Sequence, residues 1–357
     1  MKRTALLALT LAASAATAAA LQGQAPAAPR TGPGVQAAQD AREPDVLAKC
    51  KTPPPAAQGR GGPGAPGRGA PAAANPGPRE YTVTAIPGVV AAGAQWKLLW
   101  EEPGNNADGL AATKDGGILI AQNDKSTVVK LDKNGKASVV YKDTNTGGAL
   151  SFNARGELFI AERALYPAVW RLEPKRALFA NMYQGDPLDC LGGVLNDIAA
   201  DRKGGVYFTM AGLLYANPAG VITKYGENLR TNGIVLSPDE KTLYVTNQGA
   251  LAAFDVQPDG ALTNQREFVK LEGGGGDGST VDKDGRIYVT GGAGVNVVGP
   301  DGKYLGAIPT PRNVISVAFS GADRTTLYAV GVYNNDAGRQ VQIIAIPTIA
   351  QGFFRAR

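Results

Sequence analysis

Residues 233–247 read GIVLSPDEKTLYVTN. An apolar segment, a polar turn on Ser237, Pro238 and Asp239, and a second segment in which apolar residues alternate with Thr and Tyr are the signs of two short strands joined by a tight connection. The phrase is not solitary. Residues 110–122 (LAATKDGGILIAQ), 149–162 (ALSFNARGELFIAE), 197–210 (DIAADRKGGVYFTM), 279–291 (STVDKDGRIYVTG) and 316–331 (SVAFSGADRTTLYAVG) repeat it, so six copies recur roughly every 36 to 48 residues. Self-similarity at that period is what the blades of a β-propeller produce. Turns such as Asp115-Gly116, Arg155-Gly156 and Asp284-Gly285 place glycine where positive φ is cheap. Helical periodicity is nearly absent, so the expected class is all-β: a six-bladed β-propeller over residues 81–357.

Outside the repeats the chain changes character. Residues 1–20 have a basic start, a short apolar run and a small-residue end, the pattern of a secretory signal peptide cleaved near Ala20. The run is too short, and too broken by Ser14 and Thr17, for a retained membrane anchor. Leu47 to Cys50 faintly resembles a lipidation site, but Lys49 and the distance from the apolar run argue against it. Residues 21–80 are Ala, Pro, Gly and Gln with scattered Arg, a composition that cannot offset its own ordering entropy and reads as a disordered tether. Within it, only residues 35–50 have the makings of a short helix or a docking segment. The protein is therefore expected to be exported, periplasmic or secreted, as a monomer or weak oligomer.

The formal charge of +5 belongs to these leading segments. Of 36 Lys/Arg and 31 Asp/Glu, nine and four fall within residues 1–80, which leaves 27 of each sign for the propeller. A neutral propeller without an interleaved basic and aromatic face gives no support to nucleic-acid binding. The two cysteines, Cys50 and Cys190, sit in a chain expected to meet an oxidising compartment, where a disulfide clipping the tether to the third-blade loop is chemically allowed. Spacing alone leaves that pairing open beside a buried Cys190 and a free Cys50.

In a propeller every innermost strand begins at the same end of the central channel, so equivalent residues at those starts converge. Stepping back from each inner strand gives Asp108, Gly148, Asn196, Asn232, Asp277 and Ile315. Two carboxylates and two amides in one register form an all-oxygen, partly anionic set suited to a hard divalent cation, Ca²⁺ first, with Zn²⁺ or Mg²⁺ as alternatives. Each residue alone is an ordinary turn former; the coincidence of register is what points to a metal. Histidine is wholly absent, which removes Ser-His-Asp and Cys-His mechanisms and the usual zinc sites. Residues 59–64 and 273–278 both satisfy G-x-G-x-x-G, but neither lies between a strand and a helix N-terminus, as phosphate cradling requires.

Residues 232–246, NGIVLSPDEKTLYVT, resemble the hallmark of the senescence marker protein/gluconolactonase/luciferin-regenerating enzyme-like family. Leu195-Asn-Asp197, Gly276-Asp-Gly278 and Ser316-Val-Ala-Phe319 are similar to the same family's third, fifth and sixth blades. The resemblance implies a metal-dependent hydrolase that opens lactones. It implies ligand roles for Asn232 and Asp277, and for Asn196 contact with metal-bound water or substrate. In the first blade this chain has Asp108 where the family usually has Glu, with Glu101 or Glu102 as substitutes. The Arg that often precedes the third-blade Asn-Asp pair is replaced by Val194-Leu195. The expected reaction is hydrolysis of a small-molecule lactone or ester, with Asp277 as metal ligand and general base and Asn196 and Asp197 at the substrate. The competing expectation is a non-catalytic exported propeller whose Ca²⁺ is structural.

Overall fold

The computed structural model describes residues 37–52, 54, 77–104, 107–272, 274–291, 294–335 and 338–355. The expected signal peptide, 1–20, lies outside the described residues, as does most of the expected tether. The rest is built of six four-stranded antiparallel sheets. Their inner strands are Ala107–Ala112, Ala149–Phe152, Ile198–Ala200, Thr231–Leu236, Ser279–Val281 and Val314–Ser320, in blades one to six. Each inner strand packs beside the next, and the sixth returns to the first, closing a six-bladed β-propeller.

Each sequence copy supplies the two inner strands of one blade. Their turns are held by Asx geometry: Asp282 Oδ1 accepts from the backbone N–H groups of Asp284 and Arg286 at 3.0 Å each, and Asp201 Oδ1 from Gly204 and Gly205 at 2.8 Å each. Apolar side chains from neighbouring sheets interleave. Tyr207, Leu213 and Tyr215 of the third blade pack on Ile234, Leu236 and Phe254 of the fourth, all buried, so the core is a ring of blade-to-blade seams.

Closure comes from the chain ends. The sixth blade takes Val314–Ser320, Thr326–Asn335 and Gly338–Pro347 from the C-terminal side. Its outermost strand, Lys97–Pro103, comes from the N-terminal side, with Lys97 opposite Ala345 and Pro103 opposite Gln340. The two ends of the ring are thus held by a hydrogen-bonded ladder, and opening the ring requires breaking it. At the opposite end of the channel from the inner-strand starts, the C-terminal tail forms a floor. Gly352 bridges Asp282, and Arg355 pairs with Glu240 at 2.8 Å while donating to Leu236 O.

Candidate active site

Asp108, Asn196, Asn232 and Asp277 all sit where an inner strand departs from regular pairing. In the first and fourth blades the register slips between Ala107 and Leu110 and between Thr231 and Ile234, and the slipped residues are Asp108-Gly109 and Asn232-Gly233. In the third and fifth blades the strand has not yet begun. Asn196 N donates to Thr209 O at 2.8 Å and Asp277 N to Thr290 O at 3.1 Å. Such irregularities turn a side chain out of the sheet and toward the axis. A Thr at or one residue before the end of the second strand in three blades supports the distortion. Thr209 Oγ1 accepts from Asp197 N and donates to Asn232 O at 2.6 Å, Thr246 Oγ1 accepts from Asn232 N at 3.2 Å, and Thr290 Oγ1 donates to Gly278 O at 3.2 Å.

Glycine follows the polar residue in three of these blades because inner strands approach too closely there for a side chain. A Cβ on Gly233 would lie 1.9 Å from Asp277 O, and one on Gly109 would lie 2.6 Å from Ala149 Cα. The backbones are joined across the gaps, Gly109 N donating to Gly148 O at 2.6 Å and Gly278 N to Ile315 O at 2.9 Å. The third blade carries Asp197 instead. Its carboxylate accepts from Ile198 N and from Ile234 N of the next blade, each at 2.9 Å. Burial pushes its pKa up to about 7, against those two N–H bonds.

The second blade provides what sequence reading missed. Gly148 occupies its register position, and a Cβ there would lie 1.9 Å from the Cζ of Arg163. Arg163 follows the second strand of that blade, Leu158–Glu162, and its guanidinium fills the space. It pairs with Asp108 Oδ2 at 2.5 Å, donates to Leu195 O at 2.9 Å and to Asn196 O, and reaches Asn196 Oδ1 at 3.0 Å. Asn196 Nδ2 then donates to Asn232 Oδ1 at 2.7 Å. Arg has only donors, so the Asn196 amide must turn its oxygen to Arg163 and its nitrogen to Asn232. Asp277 completes the group. Burial first, then the negative charges of Asp108 and Asp197, raise its pKa well above the carboxylate range against the pull of Arg163.

The structure thus brings Asp108, Asn196, Asn232, Asp277 and Asp197 together at the axis, with Arg163 added. The sixth-blade Ile315 adds no polar group. Glu101 and Glu102, the substitutes for Asp108, are elsewhere. They lie on the outermost strand of the sixth blade, where Glu101 accepts from Tyr333 Oη and Glu102 pairs with Lys125. Among the described residues no three His, Cys, Asp or Glu side chains form a metal-holding group. The donor set is mixed, carboxylate with amide. A buried carboxylate raised by two like charges, beside the carbonyl oxygen of Asn232, fits a hard cation by its chemistry. Asp108 keeps Oδ1 for such a role, its Oδ2 being held by Arg163.

Beside this site lies the N-terminal strap. A 3₁₀ turn, Ala37–Gln39, and a short helix, Glu43–Leu47, pack through Ala37 and Val46 on Leu165, and Cys50 is disulfide-bonded to Cys190 with a Cα–Cα distance of 5.5 Å. Below the site a polar cavity of about 100 Å³ runs along the axis from Asp197 to Arg355.

A six-bladed ring with carboxylates and amides gathered at one mouth of its channel defines a class of propeller proteins with an axial polar site. The chain belongs to the SMP-30/Gluconolactonase/LRE-like family, whose model matches residues 138–332. It is similar to lactonohydrolase oryL of Aspergillus oryzae, 26% identical over 224 residues that cover 49% of this chain and 50% of that one. It is also similar to a gluconolactonase of Zymomonas mobilis, 27% identical over 249 residues covering 66% and 63%. The chain thus spans about half of the first relative's length and less than two thirds of the second's. Among solved structures, a gluconolactonase of Xanthomonas campestris superposes with a TM-score of 0.62 at 23% identity, covering 78% of this chain and 99% of that one. Regucalcin of Agrobacterium tumefaciens, described as a calcium-binding protein, superposes with 0.61 at 19%, covering 74% and 97%. These superpositions speak for the fold.

Proposed function

We propose that the protein is a metal-dependent hydrolase that opens a lactone. The observation that carries the reading is the meeting of Asp277, Asn232, Asn196 and Asp108 at the axial mouth of a propeller whose sequence relatives include a lactonohydrolase and a gluconolactonase. Asp277 and Asn232, with the free oxygen of Asp108, are the residues that would hold a divalent cation, Ca²⁺ before Zn²⁺ or Mg²⁺. Such a cation supplies Lewis acidity and positive charge to the carbonyl oxygen, where negative charge develops.

The remaining chemistry belongs to the chain. Water adds its oxygen to the lactone carbonyl carbon, its proton passes to Asp277, the ring C–O bond breaks, and that proton ends on the departing alkoxide, giving a hydroxy acid. A cation held against Asp277 would offset the rise in its pKa that burial and the charges of Asp108 and Asp197 produce, keeping the carboxylate ionised and able to accept that proton. Asn196, held by Arg163, presents N–H toward Asn232 and fixes its carbonyl orientation. Asp197, tied by two backbone N–H groups, keeps the third- and fourth-blade strands in register beneath the substrate. Export to a periplasm or the exterior is part of the same proposal, resting on residues 1–20 and on cysteines placed where they can pair.

The experiment is turnover of a panel of γ- and δ-lactones by purified protein, with chelator and after return of Ca²⁺, Zn²⁺ or Mg²⁺. Lactone opening that chelation abolishes and one cation restores is expected. Stability that depends on a cation, with no lactone or ester opened, would instead support the non-catalytic propeller.

A further inference from the structure

We propose that Arg339 makes this site selective for lactones that carry a carboxylate; this rests on the lactonase reading. The residue lies at the start of the sixth-blade strand Gly338–Pro347, opposite Asn334. Inner strands begin at the site end and the second strand runs back toward it, so the paired residues Asn335 and Gly338 lie at the end of the blade where the channel mouth is. Both strands of this hairpin are ten residues long, against four to seven for the corresponding strands of the other blades. The backbone at Arg339 is pinned, its carbonyl accepting from Gly104 N at 2.8 Å.

Arg163, inside the site, and Arg339 differ in one respect. Arg163 is saturated: Asp108, Leu195 and Asn196 take its donors. Arg339 is half-buried, its Nε has no exposed surface, and among the described residues that N–H finds no acceptor. Burial lowers its pKa, opposed first by the charge of Asp124 and then by that of Asp108, one of the site's carboxylates. A second cation near this hairpin, Arg312, is held in place by stacking on the Tyr333 ring at 3.8 Å. A guanidinium stays charged, and a desolvated donor without an acceptor is costly unless a ligand supplies one. The acceptor that best matches its planar fork is a carboxylate, bound by two parallel charge-assisted hydrogen bonds. At its inner-strand start the sixth blade has Ile315 where four other blades have Asp or Asn, so Arg339 gives that sector of the mouth its polar specificity.

The test compares paraconate, a γ-lactone bearing a carboxylate, with uncharged γ-butyrolactone, using wild type, Arg339→Gln and Arg339→Lys with cation present. In wild type the ratio of kcat/KM for paraconate to that for γ-butyrolactone should be well above one. Arg339→Gln should lower it by about tenfold or more, mainly through KM, and Arg339→Lys should recover part of the loss. A ratio that Arg339→Gln leaves unchanged overturns the proposal. If wild type opens neither lactone, calorimetric titration with paraconate separates the two ideas. Binding that Arg339→Gln abolishes, with an unaltered melting temperature, upholds the carboxylate site though the hydrolase reading fails, whereas no paraconate binding to wild type overturns it.

Discussion

The replacement Gly233→Ala tests whether blade-to-blade contact sets the position of Asp277. A Cβ at residue 233 would stand 1.9 Å from the Asp277 carbonyl oxygen, whereas ordinary contact begins near 3.4 Å. The fifth-blade backbone would therefore have to withdraw by about 1.5 Å, into a close-packed interior that yields little. Overpacking of this kind costs about 1–3 kcal/mol, which in a domain this size lowers the melting temperature by roughly 2–10 °C. The functional cost is larger, because a displacement of about 1 Å at a reacting group is enough for a 100-fold loss. Gly135→Ala is the control. Gly135 has a positive φ, of 82°, which Gly233 does not share, and nothing lies within 4 Å of its added Cβ, so only backbone strain of about 1–2 kcal/mol is expected. Thermal melts, lactone turnover and Tb³⁺ or Ca²⁺ titration of both variants decide the matter. Gly233→Ala should lose at least about 100-fold in kcat and bind cation more weakly, while Gly135→Ala melts lower with activity intact. Wild-type turnover and cation affinity in Gly233→Ala would refute the reasoning.

Asp277→Asn should remove about 100-fold or more of kcat while the chain stays folded, since the change also relieves repulsion from Asp108 and Asp197; a variant that keeps wild-type turnover removes Asp277 from the mechanism. In chelator the stability should fall as pH rises from about 4 to 7. The unfolded Asp197 loses its proton near the usual carboxylate value and the folded one near 7, so the folded state binds more protons through that window, at a cost of the order of 4 kcal/mol by its upper end. Melting temperatures that climb between pH 5 and 7 in chelator would contradict this. Reduction of Cys50–Cys190 should release residues 37–52 to protease while the propeller survives. The small cluster of Ala37, Val46 and Leu165 contributes only about 5 kcal/mol, and ordering that many residues costs well above 10. Identical proteolytic maps with and without reductant would show that the strap holds by packing alone.

Strand, turn and repeat were legible in the sequence because each depends on neighbours within one blade. The alternation in residues 242–247 and the Asp-Gly turn at 284–285 are local choices, and six copies in one register imply a ring. The convergence of Asp108, Asn196, Asn232 and Asp277 follows from that register once the ring closes. The Thr at or beside the end of the second strand in three blades was visible as a letter but not as a device; its hydroxyl bonds to the backbone of the distorted strand start.

The sequence alone therefore determined the ring, its six-fold phase and which polar residues face the axis, since all of these repeat at short range. Tertiary structure alone decided the rest. Arg163 enters through the space left by a glycine in its own blade, Lys97–Pro103 closes a blade begun more than two hundred residues later, and Arg339 arrives on an extended hairpin. Each of these depends on contacts between segments far apart in the chain, where no local period connects one residue to the other and only packed surfaces and paired charges select the partner.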